Sequence, residues 1–156
     1  MTNESTAPLD RVETLARIGA SLLGVQFEAV EIAPADLEGD DFAFGYCFGL
    51  FDAMAQCAKL DQFSDGATMI ANGFGKLVNN AARGKALFAR AVERVEEPDF
   101  SGGYEQGAAD LMAWAADANR LPAGIARRGL GTAPGADSAL IPFVMVLKSF
   151  ARPLPT

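Results

Sequence analysis

The stretch Asp41-Phe-Ala-Phe-Gly45-Tyr-Cys-Phe-Gly49-Leu-Phe-Asp52-Ala-Met-Ala-Gln56-Cys-Ala-Lys59-Leu60 decides the fold. It is apolar on almost every side. With a step of about 100° per residue, its exceptions, Gly45, Gly49, Asp52, Gln56 and Lys59, fall on one strip about 80° wide. A helix that is hydrophobic round most of its circumference belongs in the middle of a bundle, with other helices around it. We therefore read 41–60 as the core helix of an all-α protein.

The flanking sequence supplies the surrounding helices. Leu15, Ile18, Leu22, Val25, Ala29 and Ile32 alternate in steps of three and four, predicting a helix over 9–32, with a strand as the alternative for the β-branched end from Val25 to Ile32. Residues 33–41 read as a loop. Phe63, Ala67, Ile70, Phe74 and Leu77 give the inward face of a helix at 63–79 that Asp61 or Ser64 can cap. A further helix, 82–96, turns Phe88, Val92 and Val95 inward and is stopped by Pro98. Ser101 would cap a helix at 102–121 carrying Tyr104, Ala108, Leu111, Ala115 and Ala118 on its core side, ended by Pro122. Gly129 to Asp137 reads as a loop, and 138–150 as a last helix with a buried strand as its alternative; 152–156 is a tail. No repeat, linker or low-complexity segment stands out. The expectation is a single helical domain, 1–156, of five to six helices.

Composition agrees. The chain has 156 residues, half of them hydrophobic, with 29 alanines, the residue that loses least on entering a helix. Its formal charge of −7 disfavours a phosphate-neutralising nucleic-acid binder and an anionic membrane surface alike. Neither 41–60, broken by Asp52, Gln56 and Lys59, nor 140–147 reads as a membrane span. Met1 to Asp10 lacks the basic and apolar regions of a secretory signal, so a cytoplasmic location is expected. Cys47 and Cys57 would lie about 15 Å apart along one helix, too far for a disulfide, and read as buried free thiols.

The chain contains no histidine. That removes Ser-His-Asp and Cys-His catalysis, histidine-ligated haem and nearly every zinc enzyme site. Asn72-Gly73-Phe74-Gly75-Lys76-Leu77 superficially resembles a phosphate loop, but Ile70 stands where the first glycine belongs and Leu77 replaces the hydroxyl residue. Gly129, Gly131 and Gly135 have the wrong spacing for a dinucleotide site, and no nucleophile elbow exists. Asp36, Glu38, Asp40 and Asp41 lack the order of a calcium-binding loop and read as a solvated acidic run in which Asp40 or Asp41 caps the next helix. No cofactor or metal is implied.

Charge is segregated along the chain: residues 1–58 net −8, 59–94 net +3, 95–119 net −6 and 120–156 net +4. Arg83 and Arg90 share one helical face and Asp110 and Asp117 another. A hairpin turning near residue 100 would bring Arg83 level with Asp117 and Arg90 level with Asp110, as a charged seam.

Three arrangements compete for the strip on 41–60. In the first, Gly45 and Gly49 admit a close neighbouring helix, and Asp52 with Gln56 reaches solvent or a buried hydrogen bond. In the second, the glycines of two helices, Gly45 and Gly49 with Gly103 and Gly107, build a symmetric dimer. In the third, Asp52 and Gln56 line the pocket of a small-molecule-binding domain, or less favourably serve a carboxylate-based enzyme. Trp114, between the apolar and charged faces of its helix, is a further candidate contact. The residues singled out as ligand- or partner-binding are Asp52, Gln56, Gly45, Gly49 and Trp114. Missing catalytic residue types and plentiful small and apolar ones favour a non-enzymatic interaction or adaptor protein, a homodimer or the partner of another protein.

Overall fold

The computed structural model describes residues 7–61 and 63–130. It is an all-α bundle. Six α-helices, α1 (Ala7–Ala29), α2 (Asp41–Cys57), α3 (Asp65–Val78), α4 (Ala81–Glu93), α5 (Pro98–Ala116) and α6 (Gly124–Leu130), are joined by short turns, with a 3-10 turn at Pro34–Gly39. None of the described helices is long and apolar enough to cross a membrane. The helix and tail expected at 138–150 and 152–156 lie outside the described residues, as do residues 131–137 of the expected glycine loop; residues 129 and 130 of that loop belong instead to α6.

The helix ends follow from local chemistry that hydropathy does not report. Asp40 caps α2, its carboxylate accepting the Ala43 N–H at 3.2 Å. At the other end Lys59 takes φ 58°, and the Leu60 N–H reaches back to the Ala55 carbonyl at 3.0 Å. This left-handed closure satisfies the last carbonyls and ends α2 at Cys57, three residues before the apolar run ends. Glu31 and Asn79 close α1 and α3 in the same way. Residues 25–29 are therefore helical, and the strand alternative for 25–32 is not taken. Pro98 starts α5 rather than only stopping α4, because a proline in the first turn lacks only an N–H that would have had no helical partner.

α2 and α5 run parallel and touch backbone to backbone. A Cβ on Gly45 would collide with the carbonyl oxygen of Phe100, and one on Gly49 with that of Tyr104; Gly103 and Gly107 stand in the same relation to Phe42 and Tyr46. Four helical glycines cost roughly 2–4 kcal/mol relative to alanine, so the contact they permit must return more than that. The glycines that suggested a symmetric dimer are thus used within one chain.

That symmetry has a source in the sequence. Shifting the chain by 58 positions superposes Asp41, Phe42, Gly45, Tyr46, Gly49, Asp52, Met54, Ala55 and Ala58 on Asp99, Phe100, Gly103, Tyr104, Gly107, Asp110, Met112, Ala113 and Ala116. The expectation of no internal repeat is wrong: α2 and α5 are two copies of one segment, related by a pseudo-two-fold axis along the pair. The similarity was hidden because the copies differ at their bulky positions, Phe44, Phe48 and Phe51 facing Gly102, Gln106 and Ala109.

Parallel helices need a return path, which α3 provides, running from beside Ala55 back to Phe44 before turning at Gly75 and Gly84 into α4, which stays at the start of α2. Phe51 is held between Gly19 of α1 and Gly73 of α3, where either Cβ would strike its ring, and it meets Phe74 edge-on at 5.2 Å. Because α5 joins α2, the buried faces differ from those expected. α5 buries Phe100, Gly103, Gly107, Leu111 and Trp114; α4 buries Gly84, Leu87 and Ala91, leaving Val92 and Val95 exposed. Phe63, expected inward, is 86% exposed.

The predicted Arg–Asp seam does not form either. Arg83 and Arg90 both pair with Glu38, at 3.1 and 2.6 Å, and Arg94 pairs with Asp41 at 3.1 Å, so two arginines of α4 and the one that caps its end clamp the acidic turn that reads as solvated. Arg128 of α6 adds Asp40 at 2.8 Å and lies over the Phe42 ring. Such half-exposed pairs contribute about 0.2–1 kcal/mol each and set orientation more than stability.

The glycine contact makes a sharp prediction. Gly49→Ala or Gly107→Ala should lower unfolding free energy by more than about 3 kcal/mol, since the obstructing atom is backbone and cannot rotate away. Gly24→Ala, with open space around it, should gain roughly 0.5–1 kcal/mol. Guanidinium titration followed by circular dichroism measures both, and an unchanged midpoint for Gly49→Ala would refute the register.

Candidate functional site

The duplication places two tyrosine–aspartate pairs across the α2–α5 seam, one on each side. The first is closed. The Tyr46 hydroxyl donates to Asp110 Oδ2 at 2.5 Å, while Gln106 donates to Asp110 Oδ1 at 2.6 Å. α6 arrives with its N-terminus on this pair: the Gly124 N–H lies 3.1 Å from both the Tyr46 hydroxyl and Asp110 Oδ2. A Cβ at Gly124 would meet the Tyr46 ring, so the approach requires glycine.

Gln26 of α1 completes the arrangement. It is 2% exposed; its Oε1 accepts the Ile125 and Ala126 N–H groups at 2.9 and 3.3 Å, and its Nε2 donates to the Tyr46 hydroxyl at 3.4 Å. One amide side chain therefore takes two of the first-turn N–H groups of α6, donors that have no intrahelical partners. Sequence reasoning passed over Gln26 and Tyr46 and gave Asp110 only a place in the charged seam. The available signal was Gln26 itself, an amide four residues beyond Leu22 on an otherwise apolar face.

The second pair is open. The Tyr104 hydroxyl donates to Asp52 Oδ2, and Gln56 Nε2 donates to the same oxygen at 3.0 Å. The Tyr104 ring packs on Phe48 at 5.6 Å, yet Asp52 and Tyr104 are only half-buried and Gln56 is exposed. Asp52 and Gln56 thus stand together on an edge, as the first of the three arrangements has it, and not in an enclosed cavity. A shallow groove of about 350 Å³ lies elsewhere, between α1 and the α3–α4 turn, lined by Glu13, Asn72, Lys76 and Asn80 among others.

The remaining candidates are dispersed. Gly45 and Gly49 are covered by α5, and Trp114 is 3% exposed, so none of the three is a surface contact. The Trp114 Nε1 has no hydrogen-bond partner among the described residues. Cys47 is buried as expected, but Cys57 is exposed, its thiol 3.3 Å from Met112 Sδ. Burial pushes both thiols upward, away from the thiolate a nucleophile would need. Among the described residues no three carboxylate or thiol groups converge as a metal would require.

Both phenols are held in their neutral form. Burial and then the Asp110 charge raise Tyr46 well above the ordinary value, and burial with the Asp52 hydrogen bond pushes Tyr104 up to about 12. The pairs thus present a fixed proton between phenol and carboxylate and spare lone pairs facing outward, an acceptor surface for N–H donors. In the closed copy the backbone donor is the Gly124 amide of α6.

Comparison with known proteins gives no further guide: no family model, no curated protein and no solved structure matches the chain.

Two outcomes follow. Because both folded phenols keep their protons to higher pH than in the unfolded chain, their contribution to stability is complete below about pH 10 and is lost as pH rises through the folded values. Alkaline titration of tyrosine absorbance should show Tyr104 ionising near 12 and Tyr46 only on unfolding; a folded-state midpoint near 10 would contradict the geometry. Separately, Gln26→Leu strands two buried N–H groups at about 1–3 kcal/mol each. Hydrogen exchange at Ile125 and Ala126 should accelerate selectively, and protection equal to the parent's would count against the role given to Gln26.

Proposed function

We propose that this chain is a non-enzymatic helical interaction module acting in the cytoplasm, and that it binds another polypeptide along the outer edge of α5. A single observation carries the reading. The stripe Tyr46, Leu50 and Met54 on α2 is fully buried beneath the chain's own helices, with Gly19 of α1 lying against Met54. Its duplicate on α5 is only half-buried at Tyr104 and Ala108, and Met112 is 54% exposed.

A large flexible apolar side chain left in water, beside a hydrogen-bonding group on the same edge, has the composition of a partner surface. α4 precedes the second copy as α1 precedes the first, yet it pairs with α3 and so does not cover this stripe as α1 covers its counterpart. The occupant favoured is a different polypeptide, because the glycine faces suited to a symmetric pair of chains are already used inside this one.

Native mass spectrometry of the chain purified gently from its own cells tests the reading. A complex with a second polypeptide is expected, lost in Met112→Glu and kept in Glu28→Lys, a change on an exposed position of α1. A bare monomer, or a complex indifferent to Met112→Glu, would sink it.

A further inference from the structure

We propose that the open Asp52–Tyr104 pair is a recognition site for the N-terminal turn of a partner helix, taking its leading backbone N–H as the closed pair takes that of Gly124. The inference rests on the interaction reading above and adds the chemistry of the occupant. Its foundation is the internal two-fold, which maps Tyr46 and Asp110 onto Tyr104 and Asp52 through the same shift of 58 positions that maps the glycines. One member of the duplicated site is thereby seen with its ligand: a glycine-led turn whose Gly124 N–H is shared between phenol and carboxylate, each at 3.1 Å.

The open member keeps the phenol and the carboxylate that take the leading N–H, while Gln26, which takes the next two in the closed member, has no counterpart, the residue 58 positions on being Gly84. Tyr104 and Gln56 both donate to Asp52 Oδ2, which leaves Oδ1 open, whereas in the closed member Gln106 takes Asp110 Oδ1 and Tyr46 shares Oδ2 with Gly124. A carboxylate so fixed retains lone pairs for further donors, and a helix N-terminus offers three or four N–H groups with the positive end of the helix dipole. The exposed thioether of Met112 continues the same edge and provides the apolar floor for that turn.

Charge specifies the occupant further. Residues 95–119 carry six acids and no base, and Glu105 is exposed beside Tyr104. A partner turn flanked by arginine or lysine is favoured over a neutral or acidic one. The segment held by the closed pair has that character: residues 119–130 contain three arginines and no acid.

A synthetic peptide of residues 119–130, capped at both ends, is therefore the probe. It is titrated into the full-length ¹⁵N- and methyl-labelled chain while NMR shifts are followed. Shifts are expected at Asp52, Gln56, Tyr104 and the Met112 methyl, weakening as salt is raised, with affinity falling about tenfold or more in Asp52→Asn and in Tyr104→Phe. Binding that moves Met112 but is indifferent to both variants would overturn the N–H recognition while leaving the interaction reading intact. Shifts centred on Gln26 and Tyr46 would mean that the peptide displaces α6, and would overturn it also. No shift anywhere along the edge would overturn it too, and the partner complex sought by mass spectrometry would then judge the interaction reading separately.

Discussion

The contact between the backbones of α2 and α5 is the constraint on which the remaining structure depends. Glycine at 45, 49, 103 and 107 lets two parallel helices approach until carbonyl oxygens occupy the space of absent Cβ atoms. At that range weak Cα–H···O contacts and dispersion replace the side-chain interlock of ordinary helix pairs. Since the pair is parallel, the chain must travel the length of the bundle between them, and α3 is that return, with α4 turned in beside the start of α2. Arg83 and Arg94 then fall against the acidic turn at 34–41, fixing the entrance to α2.

Much of this was legible in the sequence, and the failures have physical causes. The core position of α2 follows from an apolar run that no surface helix could carry. Its end does not, because Lys59 closes the helix in a left-handed conformation that hydropathy cannot register. The buried face of α5 was misplaced for the opposite reason: two of its innermost residues are glycines, which count as neutral on any apolar scale while marking the closest contact in the molecule. The Arg–Asp seam assumed that helices adjacent in sequence lie side by side, whereas α5 seeks its duplicate.

Of the candidate site, Asp52 and Gln56 were recognisable as polar interruptions, and they do meet each other. Their partner Tyr104 was assigned to the core because an aromatic at helical spacing reads as buried. It took the second copy of the motif to give Tyr104 a polar role, since Tyr46 and Asp110 repeat the same pairing on the other side of the seam. The closed pair also shows why a buried phenol and a nearby carboxylate can coexist: one proton is shared, and amide donors from Gln106 and Gly124 offset the charge.

The two-fold inside a single chain has a consequence of its own. In an assembly of two identical subunits, any residue altered in one site is altered in both, so neither can specialise. Joining the halves covalently removes that tie, and it also makes their association independent of protein concentration. One half could then commit its tyrosine–aspartate pair to holding the molecule together, while the other kept the same pair facing outward.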